Sequence, residues 1–161
     1  MQANQVEIKK LLAAIDLSKY SEDTFLHALT LARALGAELT LVNVINTRYL
    51  DSLEQYGGAG LGLDRKEIIG RTINDRRKVI EDEYLSRAQG VSTQLIFKEG
   101  LPWEEIINAV KDVGADMLVV GNKGRGDVAG VLFGSAAEKV QRHAPCPVLT
   151  VRGKEHARAA K

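Results

Sequence analysis

The sequence predicts an α/β protein built on an open parallel sheet of five strands with helices on both faces. Three observations predict it. Five short apolar runs alternate with stretches of helical spacing, the pattern of repeated βαβ units. The runs are continuously apolar and not alternating, as strands buried on both faces require. The chain has 161 residues, 45% hydrophobic and 27% charged, which suits one domain able to bury roughly 70% of its unfolded surface. Residues 1–153 are read as that single domain and residues 154–161 as a basic, frayed tail.

Residues 10–16 (KLLAAID) form a short apolar run closed by an acid and predict the first strand. Ser21 opens a helix whose first turn holds Glu22 and Asp23, where the helix dipole favours anions. Phe25, Ala28, Leu29 and Ala32 follow helical spacing, and Gly36 ends the helix as its C′ residue. Residues 38–44 (ELTLVNV) predict the second strand. Residues 46–64 hold Gly57, Gly58, Gly60 and Gly62 without a sustained period and predict a mobile loop.

From Arg65 to about Gln89 charge is dense. Ile68, Ile69, Ile73, Val79, Ile80 and Leu85 give only a narrow apolar stripe, so a long exposed helix is expected, ended by Gly90. Residues 91–98 predict the third strand. After the Gly100 turn, Pro102 suits the first turn of a helix, and Trp103, Ile106, Ile107, Val110 and Val113 make its buried stripe up to Gly114. Residues 116–120 (DMLVV) predict the fourth strand. A glycine-rich loop, a helix over residues 135–143, the breakers Pro145 and Pro147, and a fifth strand over residues 148–151 complete the fold. Gly36-Ala37-Glu38 and Gly114-Ala115-Asp116 echo each other, each joining a helix to an apolar strand.

Several classes are excluded by bulk properties. A formal net charge of +1 provides no global field for nucleic acid or membrane lipid. No apolar run approaches the roughly 20 residues of a membrane helix. The start of the chain lacks the basic-then-apolar layout of a secretory signal. With Cys146 as the one cysteine, no intrachain disulfide forms. A cytoplasmic location is expected. His27, His143 and His156 share no ligand spacing, so no metal-ligating residue set is expected. Cys146, set between two prolines, reads as a packing residue, and Trp103 as part of its helix face.

Ligands of open α/β sheets bind beyond the carboxyl ends of the strands. The residues to weigh are therefore Asp16, Val44 with Asn46, Gly100 and Gly121. Gly121, Asn122, Lys123 and Gly124 follow the fourth strand directly, and nine residues later Gly134 and Ser135 start a helix. Gly121 and Gly124 permit close backbone approach or a positive φ. Gly134 and Ser135 offer N–H groups and a hydroxyl at the positive end of a helix dipole, an anion site. Lys123 and Arg125 add charge. The competing reading is an ordinary Gly-Ser helix start after a flexible loop. Asp16 likewise has a plain alternative, as the cap of the turn that follows it.

Known phosphate codes fit poorly. Gly126 is followed by Asp127 and not by Lys-Ser/Thr, so the loop is not a P-loop. The run from Gly124 to Ala129 has the form G-x-G-x-x-A, but no acid lies near the end of the fifth strand to hold a ribose. Arg125-Gly126-Asp127 spells an adhesion tripeptide, which is read as chance.

The chain resembles the universal stress proteins of the ATP-binding type. The family pattern Gly-x2-Gly-x9-Gly-Ser/Thr is matched by Gly121, Gly124, Gly134 and Ser135. Ala14-Ile15-Asp16, the second strand ending in Val44 and the closing PCPVLTV run from Pro145 to Val151 are similar too. The likeness covers nearly all of the chain except residues 46–64. With the apolar strands flanking both candidate loops, it implies a Rossmann-like sheet in the order 3-2-1-4-5, with the first and fourth strands central.

The resemblance also implies a site for ATP, with Mg2+ or Mn2+ as its accompanying metal. Asp16 would meet the adenine or ribose edge, with Ile15 beside it in the binding set, and Val44 would receive the base through its backbone. Gly121 and Gly124 would line the ribose and α-phosphate, with the charges of Lys123 and Arg125 nearby. Gly134, Ser135 and Ala136 would hold the β- and γ-phosphates. Many family members carry a second hydroxyl where this chain has Ala137, so one phosphate or metal contact is missing.

The implied function is an adenine-nucleotide-binding regulator of the stress response, with ATP as conformational ligand and no residue resembling a catalytic base. The rival is a slow ATPase or nucleotidyl-transfer enzyme. Such enzymes usually carry a glycine turn after the first strand, and Asp16 to Ser21 contain none. A structural dimer module with a relict site is a third reading. The fifth strand, Val148, Leu149, Thr150 and Val151, would be a bare apolar edge in a monomer, and the resembled family pairs there, so a homodimer is expected.

Overall fold

The computed structural model describes residues 6–55, 64–126, 129–130 and 132–153. The elements run β1 (Lys10–Ala14), α1 (Ser21–Leu35), β2 (Glu38–Asn46), α2 (Arg48–Gln55) and α3 (Arg65–Glu83). A 3-10 turn (Leu85–Arg87), β3 (Thr93–Gly100), α4 (Pro102–Val113), β4 (Met117–Gly121), α5 (Ser135–His143) and β5 (Val148–Val151) follow. The five strands form one all-parallel sheet in the order β3-β2-β1-β4-β5. β1 is its centre, with β2 and β4 on either side.

Alternate side chains of a strand point to opposite faces, and β1 divides its residues accordingly. Leu11, Ala13 and Ile15 pack with Phe25 and Leu29 of α1 and Ile80 of α3. Leu12 packs on the other face with Ile106, Ile107 and Val110 of α4 and Val140 of α5. The helices thus cover both faces, as a parallel sheet buried on both sides needs.

The echo between the two glycine junctions is structural. Gly36 and Gly114 both end their helices in the left-handed conformation, at φ 63° and 62°, which a side chain would oppose. Beyond them, Glu38 and Asp116 donate their N–H groups to the carbonyls of Lys9 and Lys10 at 2.8 Å. The two junctions thereby launch β2 and β4 on opposite sides of β1.

Boundaries differ from the sequence reading in places. The expected loop over residues 46–64 contains α2. Asn46 accepts the Arg48 N–H through its side chain at 3.2 Å, Thr47 is buried, and Arg65 Nη1 donates to Asp51 Oδ1 at 2.7 Å. These contacts support a helix that the nearby glycines masked. Gly57, Gly58, Gly60 and Gly62 lie outside the described residues.

The α3 helix starts where expected, with Asp64 capping the N–H groups of Lys66 and Glu67, but it ends at Glu83, well before Gln89. Tyr84 leaves the helix to pack edge-on against Phe25 at 5.2 Å. Arg87 lies over both rings and holds Glu22 through two 2.8 Å bonds. β3 runs two residues later than expected and β4 one. β1 stops at Ala14 and not at Asp16. Gly153, the last residue of the expected domain, is buried against Tyr20; the basic tail over residues 154–161 lies outside the described residues. Among the described residues no helix is long and apolar enough to cross a membrane.

Candidate functional site

The site begins where β1 stops short of β2. In a parallel ladder the N–H and C=O of a residue point to one side, and so do those of the residue two further on. The Val42 carbonyl accepts the Ile15 N–H at 2.9 Å and so faces β1. Val44 faces the same way, but β1 has by then left the sheet. Its backbone therefore opens onto a cleft, and its carbonyl accepts Nη1 of Arg76, from α3, at 3.2 Å. The same nitrogen donates to Asn43 Oδ1 at 2.9 Å, and fully buried Asn43 donates Nδ2 to the Ile15 carbonyl at 2.6 Å. A polar chain thus runs from α3 through β2 to the end of β1.

Asp16 follows at the mouth of the cleft. Its Oδ1 accepts the Ser18 N–H at 2.9 Å and the Ser21 hydroxyl at 3.0 Å. It does cap its turn, as the plain reading held. Its Oδ2 reaches further and accepts the Arg125 N–H at 3.0 Å, while the Asp16 carbonyl accepts Arg125 Nε at 2.6 Å. Between these anchors Leu17 is held at φ 62°, the one positive-φ residue other than glycine among the described residues. For a bulky side chain this conformation costs about 1–3 kcal/mol, and such strain clusters at functional sites.

The glycine loop leaves β4 opposite Asp16. Asn122 continues the sheet, donating its N–H to the Val151 carbonyl at 2.8 Å, and is fully buried. Its Nδ2 donates to the Leu132 carbonyl at 3.0 Å, and its own carbonyl accepts the Gly134 N–H at 2.7 Å. Asn122 therefore closes the loop on itself and sets where α5 begins. The Gly134 N–H, expected to be available to a ligand, is taken by this bond. The N–H groups of Ser135, Ala136 and Ala137 have no carbonyl four residues back within the helix and form its positive end.

Neither Gly121 nor Gly124 adopts a positive φ, so both glycines matter for space. A Cβ on Gly124 would lie 2.5 Å from Asp16 Oδ2, and one on Gly121 would meet the Lys123 carbonyl at 3.0 Å and Thr24 Oγ1 at 3.1 Å. Gly134 is less constrained, with its nearest neighbour at 3.5 Å.

These parts enclose a cavity of about 450 Å³ at the carboxyl edge of the sheet. Ile15, Asp16, Val44, Gly121, Lys123, Gly124, Arg125, Gly134, Ser135 and Ala136 all line it. Asn46 and Ala137 line it too, whereas Gly100 does not. Arg76, Lys123 and Arg125 face a single carboxylate, Asp16, so cations outnumber anions on the described wall. Burial, and secondarily Arg125, pull the Arg76 pKa down, against the opposing pull of Asp16.

Arg76, Asn122, Tyr20, Ser21 and Thr24 were not read from sequence as site residues. Arg76 had a signal. It falls at helical spacing between Ile69, Ile73 and Ile80, a lone cation on the apolar stripe of α3.

Other candidates lie elsewhere. Trp103 packs beside His143 at 5.3 Å under Lys139. Cys146 is half-buried beside the α4 core, and burial pushes its thiol pKa up. His27 bonds the Asp23 carbonyl within α1 at 2.7 Å. His156 lies outside the described residues. No group of three or more His, Cys, Asp or Glu side chains converges among the described residues.

Comparison with known proteins agrees with this architecture. The universal stress protein family matches residues 7–152. A Staphylococcus epidermidis protein whose name places it among the universal stress proteins is 34% identical over 151 residues, covering 93% of this chain and 87% of its own. A Staphylococcus aureus relative of the same description is 32% identical over the same shares. Among solved structures, hypothetical protein MJ0577 superposes with a TM-score of 0.75 at 28% identity, over 92% of this chain and 99% of its own. A universal stress protein in complex with cAMP superposes with a TM-score of 0.58 at 26% identity, over 91% and 98%.

Proposed function

The chain belongs to the universal stress protein family, and from that premise we propose that its cavity binds an adenine nucleotide, ATP, as a conformational ligand in the stress response. One observation carries the reading. The backbone of Val44, which has no neighbouring strand on its β1 side, and the N-terminal turn of α5 line one cavity of about 450 Å³, within the roughly 300–1,000 Å³ usual for small-ligand sites. The first suits the edge of a base and the second suits phosphate. The excess of cations on the wall favours the same anionic ligand. The structural relative with cAMP bound supports a nucleotide as the ligand class.

In this reading Val44 meets the base and Ile15 with Asp16 flank the ribose. Gly121, Lys123, Gly124 and Arg125 border the α-phosphate. With the Gly134 N–H engaged, the outer phosphates fall to Ser135, Ala136 and the α5 N-terminus. Mg2+ or Mn2+ would arrive with the phosphates, since Mg2+ commonly keeps several waters and needs few protein ligands; the Ser135 hydroxyl is a suitable oxygen. Asp16 is the sole carboxylate on the described wall, and both its oxygens are engaged, which favours ATP as ligand over ATP as substrate.

The purified protein, denatured and chromatographed, should release adenine nucleotide, and the stripped protein should bind ATP in isothermal titration. Release of none, with no heat on titration, would defeat the reading.

We infer a homodimer through β5 on the strength of its edge position. Val148, Leu149 and Thr150 are half-exposed, while Val151 is 4% exposed. The pairing would then use the first three side chains and the strand backbone.

A further inference from the structure

We propose that Arg76 is a specificity-determining residue that masks the Val44 carbonyl, so that the cavity accepts a purine ring with little regard to its 6-amino group. The inference rests on the reading of this cavity as a purine-nucleotide site and asks what the base end of that site can recognise.

A strand residue whose neighbour has ended offers one donor and one acceptor. Such a pair can read a purine edge, with the N–H meeting a ring nitrogen and the C=O accepting from an exocyclic amine. At Val44 only half of that pair stands open. Its carbonyl already accepts Arg76 Nη1 at 3.2 Å. A carbonyl has a second lone pair, but an amine hydrogen directed there approaches a cationic guanidinium, and like partial charges repel.

Arg76 is also not easily displaced. It is half-buried on the inner face of α3, and its other bond, at 2.9 Å, satisfies Oδ1 of Asn43. Asn43 is fully buried and itself bonded to the Ile15 carbonyl. Moving Arg76 away would leave that buried acceptor without its donor, which is costly. Arg76 lines the cavity, and the N–H groups on its other nitrogens bring donors and not acceptors to the base end. The 6-amino group of adenine, itself a donor, therefore meets a wall that is donor-rich where it should be acceptor-rich.

The test compares ATP with purine-riboside 5′-triphosphate, which lacks only the 6-amino group, in isothermal titration against the wild type and Arg76→Met. Methionine keeps an unbranched chain of similar girth without charge or donor. The wild type should bind the two ligands within about threefold of each other, because a masked carbonyl gains little from the amine. In Arg76→Met the carbonyl is open, and ATP should be preferred by about tenfold or more, as a regained hydrogen bond allows.

A wild-type preference for ATP above threefold overturns the proposal. So does a ratio that rises by less than threefold in Arg76→Met while circular dichroism shows it folded. If that variant does not fold, the wild-type ratio alone decides, on the same threshold. Failure of the wild type to bind either ligand instead defeats the purine-site reading, a different result from binding both with an ordinary adenine preference.

Discussion

Arg125 grips Asp16 twice across 109 residues of chain, with Nε on the Asp16 carbonyl at 2.6 Å and its backbone N–H on Oδ2 at 3.0 Å. The contact ties the end of β1 to the loop that leaves β4, the two sides of the sheet's topological switch point. It also explains why the residue before Arg125 is glycine.

A Cβ at position 124 would sit 2.5 Å from Asp16 Oδ2, so Gly124→Ala must break the grip or move the loop. A loss of about 1–3 kcal/mol in urea unfolding is expected, the range for overpacking. Gly134→Ala has 3.5 Å of room and an ordinary φ of −69°, and should stay within about 0.5 kcal/mol of wild type. Gly124→Val and Gly134→Val should both lose ATP binding in isothermal titration, but only Gly134→Val should retain near-parental stability. Equal instability of both would show that the loop is not braced by Asp16.

Ser135→Ala should weaken ATP binding less than either valine variant. It removes one hydroxyl and leaves the N–H groups of α5 in place. A hydrogen bond to a charged acceptor is worth about 1.5–3 kcal/mol, so roughly a 10- to 150-fold loss is expected. Unchanged affinity would remove Ser135 from the phosphate site.

The acid limb of stability should carry a signature of Asp116. Its Oδ2 accepts the N–H groups of Lys9 and Lys10 at 2.8 and 2.9 Å, and these bonds hold its pKa below the ordinary 3.8. A carboxyl with a depressed folded-state pKa stabilises the fold above its unfolded value and loses that contribution as pH falls through the folded value. Asp116→Asn should therefore lie below wild type at neutral pH and converge with it as pH drops below 3.8. Solvent screening keeps the neutral-pH gap below about 1 kcal/mol. Denaturant midpoints across pH would measure it, and a constant gap would refute the assignment.

Sedimentation at micromolar concentration should show a dimer, and Leu149→Lys should shift it toward monomer. Leu149 is half-exposed on the edge strand β5, and a charged edge side chain opposes strand pairing. A wild-type monomer, or a Leu149→Lys dimer, would place the contact elsewhere or nowhere.

The strands, α1, α4 and α5 were legible because their signals are local. Gly36 and Gly114 take the left-handed caps, Pro102 begins α4, and apolar runs mark strands wherever they pack. The glycine spacing from Gly121 to Ser135 was legible for the same reason, and the ten residues read from sequence as site residues share one cavity. The α2 helix was not legible, because the glycines that follow it hid a short segment supported by Thr47 and Arg65. Nor was the early end of α3, since Tyr84 leaves the helix for a ring 59 positions earlier in the chain.

By itself, then, the sequence determined which segments are strands, which glycines end helices, and that a glycine-rich loop follows β4. Only the tertiary structure decided that Val44 faces a gap, that Arg76 fills its carbonyl, and that Asn122 takes the Gly134 N–H. The reason is physical. Periodicity and backbone demands are set within a few residues, whereas the polar groups left open at a sheet edge depend on where neighbouring strands stop and which distant side chains reach them.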